Sequence, residues 1–383
     1  MAYRDATVAN RPVSRPQKYL CPIHKRLRIA AFVAQPILSV RVDFAQVTEI
    51  ARLGLAVPQI HTAGIQCKEL RGGYFCMRAA QIKSFGASGV IEIVEFPKPM
   101  PGRGEVIIQT KAAGVAPWDA LIRSNTSVTT PQLPLILGSD LSGVVDSVGP
   151  GVESLQPGDE IYGVTNENFV GAYSEFAVAK AQMLARKPAS LNFLEAASVP
   201  VVAVTAYQML FEYAHLQPGQ TALIHGAAGN VGAYAVQLAK NAGIKVVATA
   251  SAKDFDYLRG LKADKLIDYK EERFEHGLNP VDAVIDMVGG ETRDHSMLVL
   301  KPDALLVTVA TPKPDDLARN NPGRVIFFLA EVTTARLNVL SELFDAGKLR
   351  AQVGSVLPLV EVRQAHEMLA GAPHKRGKIV LEL

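Results

Sequence analysis

The chain has 383 residues, of which 48% are apolar and 20% charged, with a net charge of +3. This length admits two domains with large cores, and the balance is ordinary for a globular protein. Nothing in it marks a nucleic-acid surface, and no run approaches the about 18 apolar residues that a membrane-spanning helix needs, so neither nucleic acid nor a membrane is an expected partner. The charge is uneven: residues 1–76 hold eleven Lys/Arg against four Asp/Glu, leaving 29 against 33 in the rest. Cys21, Cys67 and Cys76 all precede Met77. From there on a disulfide framework, a thiolate zinc site and a catalytic thiol are excluded.

Residues 1–76 read as a leader of loose structure. Arg11, Arg15, Lys25, Arg26 and Arg28 with scattered Pro fit a start assigned too far upstream (Met77 the true beginning), an organelle transit segment, or a small accessory element. The expected location is the cytoplasm, with the transit reading as its alternative. From Met77 the text is β-rich, with strand-like runs at Val90 to Val94, Glu105 to Thr110, 143–145, 160–162 and Ser174 to Val178, separated by Gly and Pro. From Val199 the pattern alternates helix and strand. Buried strands are predicted at 222–225, Lys245 to Thr249, Val281 to Asp286, Ala304 to Val309 and Val325 to Leu329, with a helix over Glu291 to Leu300. The fold class is therefore α/β, a doubly wound parallel sheet beside a β-rich domain. The tail, from Gly347, returns to short β runs at 352–357 and 377–383 that rejoin the first domain. The expected division is 77–198 with 347–383 as one domain and 199–346 as the other.

The most informative stretch is TALIHGAAGNVGAYAVQLAKNAGIKVVATAS at 221–251. A short apolar strand runs into Gly226-Ala227-Ala228-Gly229-Asn230-Val231-Gly232, which opens a helix with apolar positions at Val231, Tyr234, Ala235 and Leu238. A second strand follows. This is half of a dinucleotide-binding βαβ unit, in which small residues let backbone approach a pyrophosphate held at a helix start. At the end of the second strand an NAD-preferring site has an acidic residue; here the chain has Ala250-Ser251-Ala252-Lys253. A hydroxyl and a Lys suit a 2′-phosphate, and Tyr269 offers another donor, so the expected cofactor is NADPH (NADP). Ser251 as a helix cap is the competing reading.

From 77 to 383 the chain resembles the medium-chain dehydrogenase/reductase superfamily, in its zinc-free quinone oxidoreductase (zeta-crystallin-like) branch. The resemblance rests on KAAGVAPWDALIRSN at 111–125, LILGSDLSGVVDSVGPGVESLQPGDEIYGV at 135–164, ASVPVVAVTAYQML at 197–210, GAAGNVG at 226–232 and GKIVLEL at 377–383. It implies a GroES-like catalytic domain joined to a Rossmann NADP-binding domain. It also implies an NADP-dependent oxidoreductase that reduces a quinone or an activated C=C bond, and a homodimer paired through edge strands. The zinc ligands of metal-dependent members fall here on Ala116 and on Ser139-Asp140, so no metal ligand is expected. Carried over residue by residue, Thr205 lies near the nicotinamide, and Ala228, Gly229, Asn230 and Val231 at the pyrophosphate. Ser251, Lys253 and Tyr269 lie at the adenosine phosphate, and Gly289, Val309, Ala310, Phe327 and Phe328 along the cofactor. Lys378 reaches in from the tail. Many quinone reductases have Asn at the place of Ala116 and Tyr near Leu121, and enoyl thioester reductases have a proton-donating Tyr where 118–138 has none.

For catalysis the candidates are Trp118, Asp119 and Thr205. Trp118 is a flat wall for a conjugated substrate or a core residue. Asp119 is an acid if burial raises its pKa, or a helix cap. Thr205 is a donor to a developing enolate oxygen. No obligatory side-chain acid is expected, and Tyr162, Tyr173 and His225 read as structural. Two other functional readings stand beside the reductase: an NADPH-binding structural or regulatory protein with little turnover, and an alcohol dehydrogenase.

Overall fold

The computed structural model describes residues 76–127, 131–310 and 315–383. The expectations placed on the leader, up to residue 75, lie outside them. In the β-rich part the strands are β1 (Cys76–Ile82), β2 (Ile91–Pro97), β3 (Glu105–Val115), β4 (Leu135–Ile136), β5 (Asp140–Val148), β6 (Glu160–Val164), β7 (Phe176–Lys180) and β8 (Leu184–Arg186). Two short helices interrupt them, α1 (Pro117–Arg123) and then α2 (Phe193–Ala197). In the α/β part come α3 (Pro200–Tyr207), β9 (Thr221–His225), α4 (Asn230–Asn241), β10 (Lys245–Ala250), α5 (Phe255–Gly260), β11 (Lys265–Asp268), β12 (Val281–Asp286), α6 (Gly290–His295), β13 (Leu300–Thr308), α7 (Asp315–Asn320), β14 (Val325–Phe327) and α8 (Thr334–Asp345). The tail adds β15 (Val353–Pro358), α9 (Val362–Leu369) and β16 (Lys378–Glu382).

The spine of the β-rich part is β3. Val106, Ile107 and Ile108 are all buried, so this strand has apolar material on both faces. Its first half lies between β5 and β7, and its second half takes β16 antiparallel, Ile379 opposite Val115. The sheet order is β15-β16-β3-β5-β6-β8, and a smaller sheet, β2-β1-β4, completes this part.

The second sheet has six strands in the order β11-β10-β9-β12-β13-β14, every pairing parallel. Its near-continuous apolar runs are what a sheet covered on both faces by helices requires. The chain order reverses between β9 and β12, which opens a crevice at the carboxyl ends of those strands.

Local boundaries differ from the sequence reading where polar geometry intervenes. The helix predicted over Glu291 to Leu300 stops at His295, tightens into a 3-10 turn over Ser296–Val299, and Leu300 already begins β13. The strand foreseen at Ser174 lies at Phe176–Lys180. Pro200 starts α3, whose residues are buried up to Ala206, because this helix sits between the two sheets. It runs on as a six-residue π-turn, Gln208–Tyr213. Hydrophobic periodicity does not foretell that widening.

Candidate active site

The turn after β9 builds a cradle. Gly226 has φ +68°, a conformation open to glycine. A Cβ on Gly232 would stand 2.3 Å from Gly226 O, so only hydrogen lets α4 pack onto its own entry turn. Helix α4 begins after Gly229 with no side-chain cap. Its first N–H groups and its dipole therefore face the crevice and suit an anion. Ala228, Gly229 and Asn230 line this crevice together with Arg376 and Lys378 from the tail; Val231, also expected at the pyrophosphate, is not among the lining residues.

A polar row that sequence reasoning left unread underlies the cradle. The register aligns Thr249, His225, Asp286 and Thr308 across four strands. His225 Nδ1 lies 2.9 Å from Thr249 Oγ1, and Nε2 lies 2.9 Å from Ser296 Oγ. Burial pushes this imidazole down to about 4, so it is a neutral bridge at physiological pH. Asp286 accepts from Val288 N, Gly289 N and the Thr308 hydroxyl at 2.7 to 3.0 Å. Ala310 N donates to Thr308 Oγ1 at 3.1 Å. Of the residues predicted along the cofactor, Gly289 is thus fixed by the Asp286 carboxylate and Ala310 through Thr308, while Val309 N donates to the Asp286 backbone carbonyl at 3.3 Å.

Just past the carboxyl end of β10, Ser251 is 9% exposed and makes no side-chain cap bond, which disfavours its reading as a helix cap. Lys253 is exposed, and Tyr269 is 60% exposed with its N–H on Ala250 O at 3.4 Å. Sequence reasoning missed three neighbours. Asp268 accepts from Ala252 N and Lys270 N, and Asp254 pairs with Arg376, whose guanidinium lies 4.5 Å over the Tyr257 ring. Arg376 is over a hundred residues from its partners, so only the docking of the tail could reveal it.

Between the two sheets lies a buried charged cluster. Lys378 Nζ donates to Asp140 Oδ2 at 2.7 Å, with side chains only 2% and 0% exposed. Val201 N donates to the other oxygen of Asp140 at 3.2 Å, which ties β5 to the start of α3. Burial raises the Asp140 carboxyl, and Lys378 opposes that shift. The Lys378 ammonium also sits 4.4 Å over the Trp118 ring, and Trp118 Nε1 donates to Ser139 Oγ at 3.0 Å. One face of the Trp118 ring is therefore taken by a cation, which narrows its expected role as a wall.

Asp119 is fully buried. Its Oδ2 accepts from Ala116 N at 2.8 Å and from the Tyr173 hydroxyl at 2.7 Å, and it closes the first turn of α1. Burial lifts its carboxyl to about 7, against the Tyr173 hydrogen bond and the Lys378 charge. The raised pKa that an acid needs is present, but the engaged oxygen does the work of a cap. Thr205 corrects its expectation: the hydroxyl donates to Val201 O at 2.7 Å within the helix, so its proton is already committed. Tyr162 donates to Leu337 O at 2.7 Å and is structural. Phe328 is buried against Tyr213, and Phe327 is half-buried on the edge strand β14.

Residues 102–189 match the family described as alcohol dehydrogenase GroES-like domain, and residues 261–381 the family described as zinc-binding dehydrogenase. A solved quinone oxidoreductase from Coxiella burnetii is 33% identical with a TM-score of 0.75, the match covering 81% of this chain and 100% of that one. The chain belongs to the medium-chain dehydrogenase/reductase superfamily, in its quinone oxidoreductase-like branch. Its GroES-like and Rossmann-like parts are those of that superfamily. A second member, the NAD(P)H oxidoreductase RTN4IP1, mitochondrial, of Mus musculus, is 31% identical over 350 residues, covering 79% of this chain and 86% of the relative. The mycobacterial Rv1454c complexed with NADPH is 29% identical at TM-score 0.70, covering 80% of this chain and 100% of that one. Membership makes this chain an NAD(P)-dependent oxidoreductase.

The superfamily includes zinc enzymes, and the residues here do not fit that metal. Ala116 carries no donor, Ser139 Oγ is taken by Trp118, and Asp140 is paired with Lys378. Among the described residues no cluster of three or more His, Cys, Asp or Glu is arranged to hold an ion. A nicotinamide nucleotide does fit: an uncapped helix start and a glycine contact that a Cβ would fill match its pyrophosphate.

Proposed function

We propose that this chain is an NADPH-dependent reductase of quinones or α,β-unsaturated carbonyls that works without zinc. The observation that carries the reading is the buried Asp140–Lys378 pair, with Lys378 lining the cradle at α4, at a position where the resemblance puts a zinc ligand in metal-dependent members. The cation that stands near this site is thus an ammonium paired with a carboxylate rather than a Lewis acid for an alkoxide. When bound, the cofactor supplies the hydride. The chain's part is to hold and orient: α4 and Lys378 at the pyrophosphate, Ser251, Lys253 and Tyr269 at the adenosine phosphate, and the loops at 289, 309–310 and 327–328 toward the nicotinamide.

The Tyr173 and Thr205 hydroxyls already donate their protons, and Asp119 is fully buried with Oδ2 engaged as a cap, so the proton that follows the hydride is assigned to solvent or to a cofactor hydroxyl. Single substitutions of Asp119, Tyr162 and Thr205 are expected to lower turnover by less than about 10³-fold each; a larger loss at one of them would identify an obligatory acid.

The test of the whole reading is a panel of quinones, alkenals and enones run with NADPH and NADH side by side, followed by loss of reduced-cofactor absorbance. Turnover with NADPH preferred is expected. Tight NADPH binding without turnover on any acceptor would favour a binding protein, and a preference for NADH would refute the role given to Ser251 and Lys253. The proposed assembly is a homodimer, with β14, at the end of the six-stranded sheet, as its contact edge; light scattering reads its mass. A cytoplasmic location is proposed, and imaging of a fluorescent fusion with the leader intact tests it.

A further inference from the structure

Among the connections that leave the carboxyl edge of the six-stranded sheet are 226–229 after β9, 287–290 after β12, 309–310 after β13, and 328–333 after β14. Asp286 and Thr308 lock the second and third to each other. The fourth is held from another direction, by the π-turn Gln208–Tyr213 and the first turn of α8.

The contacts converge on one residue of that segment. Gln208, 1% exposed, accepts from Glu331 N through Oε1 at 3.0 Å, and its Nε2 donates to Glu212 Oε2 at 3.1 Å. Arg336 donates to both oxygens of Glu212, from Nε at 2.8 Å and from Nη2 at 2.9 Å. Its Nη1 donates to Glu331 O at 2.7 Å and to Glu331 Oε2 at 2.9 Å. The peptide N–H and C=O of Glu331 are thus both gripped. Phe328, at the near end, packs on Tyr213 with ring centroids 4.3 Å apart.

A π-turn costs helix geometry and is kept mostly where it serves a site. This one directly continues α3, the helix that carries Thr205. Burial alone does not require such a device, because Phe328 and Val332 already anchor the segment to the core. What the polar contacts add is a fixed backbone path, since a bidentate guanidinium–carboxylate fork specifies angle as well as distance.

We infer that Gln208, Glu212 and Arg336 form a clasp that fixes segment 328–333 over the nicotinamide end of the crevice, and that they are positioning residues for the hydride donor. This rests on the proposed function, and extends it to residues that touch neither cofactor nor acceptor. Releasing the clasp lets the nicotinamide end shift while the adenosine end stays held, and a displacement of about 1 Å suffices to impair hydride transfer.

The experiment compares NADPH with 2′,5′-ADP, which has no nicotinamide end, by calorimetry on the full chain and on two variants, Arg336→Met and Gln208→Met. Gln208→Met is nearly isosteric, so it keeps the test alive if Arg336→Met fails to fold. The expected result is about tenfold weaker NADPH binding, unchanged 2′,5′-ADP binding, and a fall in kcat greater than the rise in acceptor KM. Equal weakening of both ligands, or weakening of neither, overturns the clasp. Failure of the unaltered chain to bind NADPH would instead sink the proposed function itself.

Discussion

At the scale of single residues, Asp119 shows how one carboxyl serves structure and titration together. Burial holds its folded pKa near 7, well above the ordinary carboxylate value, so folding binds a proton between those two values. Its contribution to stability is fullest below the ordinary value, falls as pH rises toward 7, and is then level. Asp119→Asn keeps an acceptor for Ala116 N and Tyr173 and cannot ionise. The stability of the native chain relative to this variant is expected to drop by a few kcal/mol between pH 4 and 7, on the order set by the shift, as read by chemical denaturation across that range. A constant difference would show that the carboxyl ionises as freely folded as unfolded. The sequence admitted both roles of Asp119, acid or cap, because Ala-Pro-Trp-Asp is a helix opening whatever surrounds it. The bond to Tyr173, 54 residues away, was not legible locally.

At the scale of elements, the strand–turn–helix at 221–241 was the most readable part of the chain, because its packing constraints act between near neighbours. Gly232 meets Gly226 and Ala227, a few positions back. Gly232→Ala brings a methyl to 2.3 Å from one backbone atom and 2.6 Å from another, so α4 must move off its turn. We expect at least tenfold weaker NADPH binding together with a lower melting temperature, measured by calorimetry; binding at native strength would mean the cradle is not where the nucleotide sits. The π-turn and the shortened α6 were not legible, because both answer to partners far along the chain. Gln208 widens its helix toward Glu331, and Ser296 turns toward His225. The Lys378 contribution came from the resemblance, while its burial against Asp140 needed the tail in place.

At the scale of the whole molecule, α8 joins the two sheets. Tyr162 of β6 donates to Leu337 O at 2.7 Å and meets Ser341 at 3.0 Å, and Thr334 Oγ1 donates to Leu184 O at 2.7 Å. Tyr162→Phe is expected to cost about 1–2 kcal/mol of stability and to change kcat less than threefold. A large loss of kcat with stability intact would move Tyr162 from the frame to the chemistry. The alternation of β-rich and α/β text did announce two sheets, since each obeys its own period. Which strands neighbour which was hidden, because pairing depends on the path of the chain rather than on local pattern.

The pairing of β16 with β3 sets a schedule for the nascent protein. Residues 112–115 wait for partners at 379–382, so the central strand stays half-edged on the ribosome until the α/β layer has been made. Such a late, long-range closure is slow, and it leaves an unpaired apolar edge open to other chains for the whole of that interval.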